Sequence, residues 1–233
     1  SLTHMKNLSA NTIKIDQTFV RDLLDDPNDY SIIEGIIGLA KAFNREVIAE
    51  GVETDAHGLM LLIMGCNEAQ GYGISRPIPA DDLVTWLTAY KPNSYWTDYG
   101  NRNLTAQEHK ILLLQLTTEH WFNNINKVLL TMEDSGFGQF FMKCHLGVWL
   151  SRFEDEGLFK QDWLEQLKQA HDVMFNLASE LIDQHKAGQV DEAQERMDEF
   201  ELSYKAVFSL LNDYNQHAVA KTSFLVLGKK KSL

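Results

Sequence analysis

The stretch EVIAEGVETDAHGLMLLIMG, residues 46–65, holds the clearest change from strand to helix in this sequence. Residues 46–50 combine β-branched and charged side chains in the manner of a short strand. Thr54 is a residue type that caps helix N-termini, and the apolar run behind it stops at Gly65, a residue type common just past a helix end. The stretch therefore predicts one β–α unit.

Similar units lie on both sides of this stretch. Upstream, residues 12–16 alternate as a strand does, and Asp-Pro at 26–27 predicts a helix that runs to about residue 43. Downstream, residues 68–72 predict a third strand and residues 80–90 a third helix. Three consecutive β–α units predict parallel strands with right-handed crossovers.

The distribution of proline changes near residue 100, because all four prolines precede it. Residues 91–103 carry turn-forming residues and are interpreted as a linker. Helical patterns follow, beginning with a capping box at residues 105–108. Further helices are predicted near 140–153, 162–186 and 191–216, with a glycine-containing break at 135–138. Four amphipathic helices with short connections predict an antiparallel bundle.

The predicted fold class is thus an α/β partial (β/α) barrel followed by an all-α antiparallel four-helix bundle. The predicted boundaries are 1–95 for the α/β part, 96–103 for the linker, 104–220 for the bundle and 221–233 for a tail. The length of 233 residues is compatible with two domains.

Composition excludes several classes of protein. With 44% apolar and 23% charged residues, the sequence is typical of a globular chain. The net charge of −12 argues against a partner that is a nucleic-acid polymer, and no apolar run is long enough to span a membrane. Two cysteines do not make a disulfide framework, so we expect a reducing, cytoplasmic location.

Polar side chains occupy the ends of the three predicted strands. Lys14 lies near the end of the first, Glu50 ends the second, and Gln70 lies on the third. In β/α architectures, chemistry gathers at the C-terminal ends of parallel strands. A lysine, a carboxylate and an amide that converge there have the chemistry to hold a metal, orient a water or bind a phosphate. The alternative is a structural ion pair between Lys14 and Glu50.

Four segments of this half resemble the EAL domain family of cyclic-di-GMP phosphodiesterases. They are IKIDQTFV (13–20), AEGVET (49–54), GCNEAQGYGISRP (65–77) and Trp86. The resemblance covers about residues 1–95 and implies the last three β–α units of a TIM-type barrel. It also implies a cyclic dinucleotide substrate, hydrolysis to linear pGpG, and Mg²⁺ or Mn²⁺ as the cofactor that activates water.

The resemblance assigns a role to each polar residue at the strand ends. Lys14 takes the place of the lysine that positions the attacking water and offsets phosphate charge. Glu50 takes the acidic role beside the metal-bound water, as general base or metal contact. Glu53 takes the loop-bracing role, and Gln70 makes a polar contact in the mouth of the barrel. Cyclic-di-GMP is the partner that these assignments predict.

The upstream motifs of the family have no counterpart in this chain, because only thirteen residues precede Lys14. A complete barrel of about 250 residues also needs eight strands. We therefore expect a fragment that does not hydrolyse the dinucleotide alone, although the resemblance implies a parent that is a phosphodiesterase. Two alternatives remain open at this stage: a receptor that binds cyclic-di-GMP without cleaving it, and a dimerisation or signal-relay module.

The second half contains the stretch CHLGVW, residues 144–149, with histidines on other predicted helices. Cys144 as a small buried hydrophobe is one interpretation. The other is zinc binding, because a helical bundle can gather Cys and His ligands from facing helices.

Together with His171 in LKQAHDVMFNLA and the region of Trp121, CHLGVW resembles the CZB domain, the chemoreceptor zinc-binding four-helix bundle. The resemblance implies Cys144 and His171 as Zn²⁺ ligands. Phe175 stands where the family has a further histidine, and alignment on Trp121 places Thr118, two residues before His120, at the first ligand position. Without zinc, the bundle is interpreted as a regulatory or dimerisation element, and a homodimer is expected.

Overall fold

The computed structural model describes residues 10–131 and 144–215. Side chains of residues 131, 145, 155 and 215 are outside this description. The chain divides into two compact units, residues 1–152 and residues 153–233, and each is described by itself. The linker at residues 96–103 and the tail remain predictions. Residues 135–138, interpreted as a break between helices, lie outside the described residues, so that interpretation also remains a prediction.

The first unit begins with a three-stranded sheet and its helices. Its elements up to residue 100 are β1 (Thr12–Ile15), α1 (Gln17–Arg21), α2 (Pro27–Ala42), β2 (Glu46–Glu50), α3 (Asp55–Ile63), β3 (Glu68–Gln70), a 3-10 turn (Ala80–Asp82), α4 (Leu83–Ala89) and α5 (Ser94–Gly100). The strand order is β1-β2-β3, and both pairings are parallel. The prediction of three parallel β–α units is thereby confirmed.

The strand register brings the predicted functional residues to one edge. Ile15 is paired with Ala49 at the end of β1, and Glu50 is paired with Gln70 where β2 and β3 end. Because the strands are parallel, their C-terminal ends open on the same side of the sheet. Lys14, one residue before the end of β1, belongs to the same edge.

Local capping explains where the helices start. The Asp26 side chain accepts from the Asn28 amide at 2.8 Å, and Pro27 occupies the first helical position of α2. The Thr54 hydroxyl accepts from the His57 amide at 3.2 Å at the start of α3. Fully buried side chains of these elements include Ile15, Ile33 and Met60.

The segment from 94 to 100 forms a helix, where the sequence analysis placed only linker. The Asn93 side chain caps α5 by accepting from the Tyr95 amide at 2.8 Å. Trp96 then packs against Gly58 of α3, and its indole N–H donates to the Asp55 carbonyl at 2.9 Å. The capping asparagine behind Pro92 was the sequence signal for this helix, and its aromatic residues supply the packing.

Two helices of the second half begin in the first unit. They are α6 (Ala106–Thr131) and α7 (His145–Glu156). The capping box is confirmed, because the Thr105 amide donates to Glu108 Oε2 at 2.6 Å and the Glu108 amide donates to Thr105 Oγ1 at 3.3 Å. α6 packs on α3. Trp149 of α7 contacts Tyr30 of α2 edge-on, with ring centroids 4.5 Å apart.

The second unit is built around a pair of helices. Its remaining elements are α8 (Gln161–Lys186), α9 (Val190–Glu195) and α10 (Met197–Asn215). α8 packs along α10 through buried residues such as Leu167, Phe200 and Val207. The single helix predicted for 191–216 is wrong, since the chain leaves helical geometry at Arg196, whose guanidinium bonds Glu180 and Glu199.

The antiparallel four-helix bundle remains a prediction. The helices that the bundle requires are present within the described residues. Their packing is described within each unit separately. Within the described part of the chain, no helix combines the length and the apolar character needed to cross a bilayer.

Candidate functional site

Lys14, Glu50 and Gln70 meet at the C-terminal edge of the sheet. The Lys14 ammonium forms an ion pair with Glu50 Oε1, and Gln70 Nε2 donates to the same oxygen at 3.0 Å. The Glu50 side chain is 28% exposed and the Lys14 side chain 57%, so the pair lies at a solvent-accessible mouth. Both sequence interpretations are compatible with this geometry, because the ion pair exists and its Glu50 partner lines an open cleft.

Close backbone packing holds the three loops behind these residues together. Gly51 has a φ of +78°, and a Cβ there would lie 2.6 Å from Gln17 Cβ. A Cβ on Gly71 would lie 2.2 Å from the Val52 carbonyl oxygen. The Val52 amide donates to the Gln70 carbonyl at 3.1 Å, and the Gly73 amide donates to the Val52 carbonyl at 2.8 Å. Glycines thus let the loops after all three strands stack directly.

A cleft of about 710 Å³ opens in front of Glu50 and Gln70. Its lining also contains Tyr72, Arg76 and Trp86. The Arg76 guanidinium lies 5.0 Å from the centroid of the Tyr72 ring, in a cation–π arrangement. The sequence analysis did not assign Tyr72 and Arg76, although both lie inside the GYGISRP run that it quoted. Flat aromatic surface beside a guanidinium suits a planar, anionic ligand.

Glu53 lies at the rim of the same cleft. Its carbonyl carbon would be 2.8 Å from a Cβ on Gly73, so its backbone packs against the loop after β3. This contact is compatible with the loop-bracing role predicted for Glu53, a role that remains a prediction.

The residues described at the mouth do not by themselves fit a divalent metal ion. Mg²⁺ takes several oxygen ligands, and the carboxylate oxygen Glu50 Oε1 is already bound by a cation and an amide donor. Among residues 10–131 and 144–215, no group of three or more histidine, cysteine or acidic side chains is arranged to hold a metal. No chemical step is therefore derived through a metal here.

The two predicted zinc ligands lie in different units. Cys144 is buried in the first unit, where burial raises the pKa of its thiol to about 11. In the absence of a metal, this burial favours the protonated thiol over the thiolate. In the second unit, His171 is buried, with Nδ1 3.1 Å from Asp172 Oδ1 and its ring stacked on Phe175 at 5.8 Å. Within the described residues its Nε2 has no hydrogen-bond partner.

Burial also lowers the pKa of the His171 imidazole, although Asp172 acts in the opposite direction. A histidine with a lowered pKa in the folded state binds fewer protons than in the unfolded state near its ordinary pKa of about 6.5. Its contribution to stability is therefore complete above that pH and is lost as the pH falls through and below it. We expect the fall in Tm between pH 7.5 and pH 5 to be smaller in His171→Gln than in the wild type.

Thermal melts of both proteins across this pH range test the expectation. Other titrating groups are common to the two proteins, so the difference between the two slopes isolates His171. Equal slopes would contradict the lowered pKa.

Comparison with known proteins finds similarities for the first part of this chain. Residues 1–77 match the EAL domain family. Over 84 residues, or 36% of this chain, the sequence is 40% identical to the bifunctional diguanylate cyclase/cyclic di-GMP phosphodiesterase MucR of Pseudomonas aeruginosa. It is also 40% identical over 85 residues to the cyclic di-GMP phosphodiesterase PA2567 of that organism. The region up to residue 77 therefore resembles the C-terminal part of an EAL domain.

The match is confined to a small part of each relative. It spans 12% of the length of MucR and 14% of PA2567. The crystal structure of the EAL domain of Mycobacterium smegmatis DcpA is 40% identical, with a TM-score of 0.37 over 40% of this chain and 41% of that chain. The CZB-like character of residues 104–220 remains a prediction.

Proposed function

We propose that this chain carries part of a cyclic-di-GMP phosphodiesterase centre, the part formed by the last three β–α units of an EAL barrel. The observation that supports the proposal is the meeting of Lys14 and Gln70 on one oxygen of Glu50, at the mouth of an open cleft. The relatives named as cyclic di-GMP phosphodiesterases share this stretch of sequence. The activity is that of a complete domain, of which this chain contributes one wall.

In the proposed reaction, a water attacks a phosphodiester phosphorus and the bond to the leaving sugar oxygen breaks. The Lys14 ammonium lies beside the attack position and offsets the negative charge that develops on the phosphoryl oxygens. The Glu50 carboxylate accepts the proton of the attacking water. Gln70 holds Glu50 in orientation through its amide. The family's Mg²⁺ or Mn²⁺ remains a prediction for the complete domain.

Recognition of the substrate is assigned to the far side of the cleft. Tyr72 and Trp86 offer aromatic faces for a purine, and Arg76 offers a charge for a phosphate oxygen. A cyclic dinucleotide contains both groups within one compact ring. Its size is compatible with the cleft, whose volume of about 710 Å³ falls in the usual range for small-molecule sites.

The chain as it stands is proposed to lack turnover. Binding of cyclic-di-GMP without cleavage is the second candidate function, and it rests on the same cleft. The homodimer remains a prediction, and the proposed function does not depend on it. The binding of Zn²⁺ by Cys144 and His171 likewise remains a prediction.

We expect no hydrolysis when the purified 233-residue chain is incubated with cyclic-di-GMP and millimolar Mg²⁺ or Mn²⁺. The measurement is chromatographic separation of the cyclic and linear dinucleotides over several hours, with a complete EAL phosphodiesterase as the positive control. Turnover that depends on the metal and stops on adding a chelator would show that the chain holds a complete centre and would refute the proposal of a partial one.

A further inference from the structure

A polar cluster joins α6 to the turn that follows α1. Asp25 Oδ1 lies 2.9 Å from His120 Nε2 and accepts from Asn124 Nδ2 at 3.0 Å. His120 and Asn124 are one turn apart on α6, so one carboxylate oxygen binds two side chains of the same helix face. The His120 and Asp25 side chains are 26% and 30% exposed, which strengthens the contact relative to a surface pair.

Asp25 belongs to the turn that ends α1. The Asp25 and Asp26 amides donate to the Asp22 carbonyl at 2.9 and 2.7 Å, and the neighbouring Leu23 and Leu24 are buried. The turn is therefore rigidly attached to α1. The helix has only five residues, Gln17–Arg21, so the turn that contains Asp25 lies close in the chain to the start of α1.

The start of α1 is a structural part of the cleft. Asp16 caps the helix, and Gln17 lies against Gly51, the residue directly after Glu50. Asp16, Gln17 and Gly51 all line the cleft. The position of α1 thus determines where the loop carrying Glu50 rests.

A second connection reaches the same loop from α3. The His57 ring is buried, and its Nδ1 lies 3.1 Å from Thr54 Oγ1. Thr54 ends the AEGVET loop that begins beside Glu50. The loop after Glu50 is therefore attached to α3 as well as to α1.

We propose that His120 and Asn124 are positioning residues for the cleft: by binding Asp25 they fix α1, and α1 fixes the Gly51 loop that carries Glu50. The long helix α6 is thereby the element through which the second half of the chain influences the EAL-type mouth. The inference deepens the proposed function and depends on it only for the identity of the ligand.

Amide hydrogen exchange of the full 233-residue chain, without ligand, tests this inference. In His120→Leu we expect exchange to rise about tenfold in residues 17–25 and in residues 51–54, while residues 28–42 of α2 exchange as in the wild type. His120→Gln keeps an N–H donor at the place of Nε2, so it is expected to restore most of the protection. Asn124→Ala is expected to act in the same direction as His120→Leu with a smaller effect.

The matched control is Asn123→Ala, the same replacement at the exposed neighbouring position of α6. It is expected to leave both segments unchanged. An effect confined to α6 and residues 22–26 would overturn the inference, because it would show a local contact without transmission to the Glu50 loop. A uniform rise across α2 would also overturn it, because global destabilisation would then explain the result. No arm uses cyclic-di-GMP, so the inference and the proposed function can fail separately.

Discussion

Turnover of cyclic-di-GMP is expected to fall by at least about 100-fold when Lys14→Met or Glu50→Gln is introduced into a complete EAL domain that contains this segment. Such a domain is made by placing residues 10–90 of this chain in MucR, where they replace the matching segment. The chain is 40% identical to MucR over 84 residues. Lys14→Met removes the cation that we propose faces the phosphoryl oxygens. Glu50→Gln removes the proposed base and leaves the amide of Gln70 without its charged acceptor.

Glu46→Gln is the matched control for this experiment, because Glu46 begins the same strand that Glu50 ends and its side chain is exposed. It makes the same chemical change at the opposite edge of the sheet. We expect kcat to stay within about twofold of the unmodified chimera. Equal losses in Glu46→Gln and Glu50→Gln would indicate a general effect of charge removal and would contradict the assigned role of Glu50. Melting curves establish that all variants are folded.

The second large effect is expected at Gly71. Gly71→Ala places a methyl group 2.2 Å from the Val52 carbonyl oxygen and 2.3 Å from the Val52 nitrogen. Both neighbours are backbone atoms, so they cannot move aside as a flexible side chain does. We expect the loops after β2 and β3 to separate and the free energy of unfolding to fall by about 2–3 kcal/mol, the cost of overpacking a closely packed position.

Gly35→Ala on α2 provides the control for Gly71→Ala. No atom lies within 4 Å of a Cβ at this exposed helical glycine. Alanine is favoured over glycine in a helix interior by about 0.8–1 kcal/mol, so Gly35→Ala is expected to raise the free energy of unfolding. Chemical denaturation of the two variants and the wild type gives both values. A Gly71→Ala protein as stable as the wild type would contradict the close approach of the two loops.

The strands and caps of the first unit were predictable because their signals are local. Asp-Pro at 26–27, Thr54 and the period-2 pattern of residues 46–50 each act within a few residues of the element they define. The meeting of Lys14, Glu50 and Gln70 was also predictable, since parallel strands place their C-terminal ends at one edge. The motif resemblance added the chemistry that this meeting serves.

Other features could not be predicted, because they depend on partners distant in sequence. The helix at 94–100 is stabilised by the packing of Trp96 on Gly58. The contact of His120 with Asp25 joins residues 95 positions apart, and no local pattern indicates it. The chain leaves helical geometry at Arg196 although the sequence pattern there is strongly helical. The Arg196 guanidinium binds Glu180 and Glu199, which lie on two different helices.

The most direct measurement of the central claim is cyclic-di-GMP turnover by the chimera in which residues 10–90 replace the matching segment of MucR. If these residues form a functional wall of the dinucleotide cleft, the chimera will produce linear dinucleotide with a kcat within about tenfold of the unmodified relative. A chimera that folds cooperatively and leaves the cyclic dinucleotide intact would contradict the account.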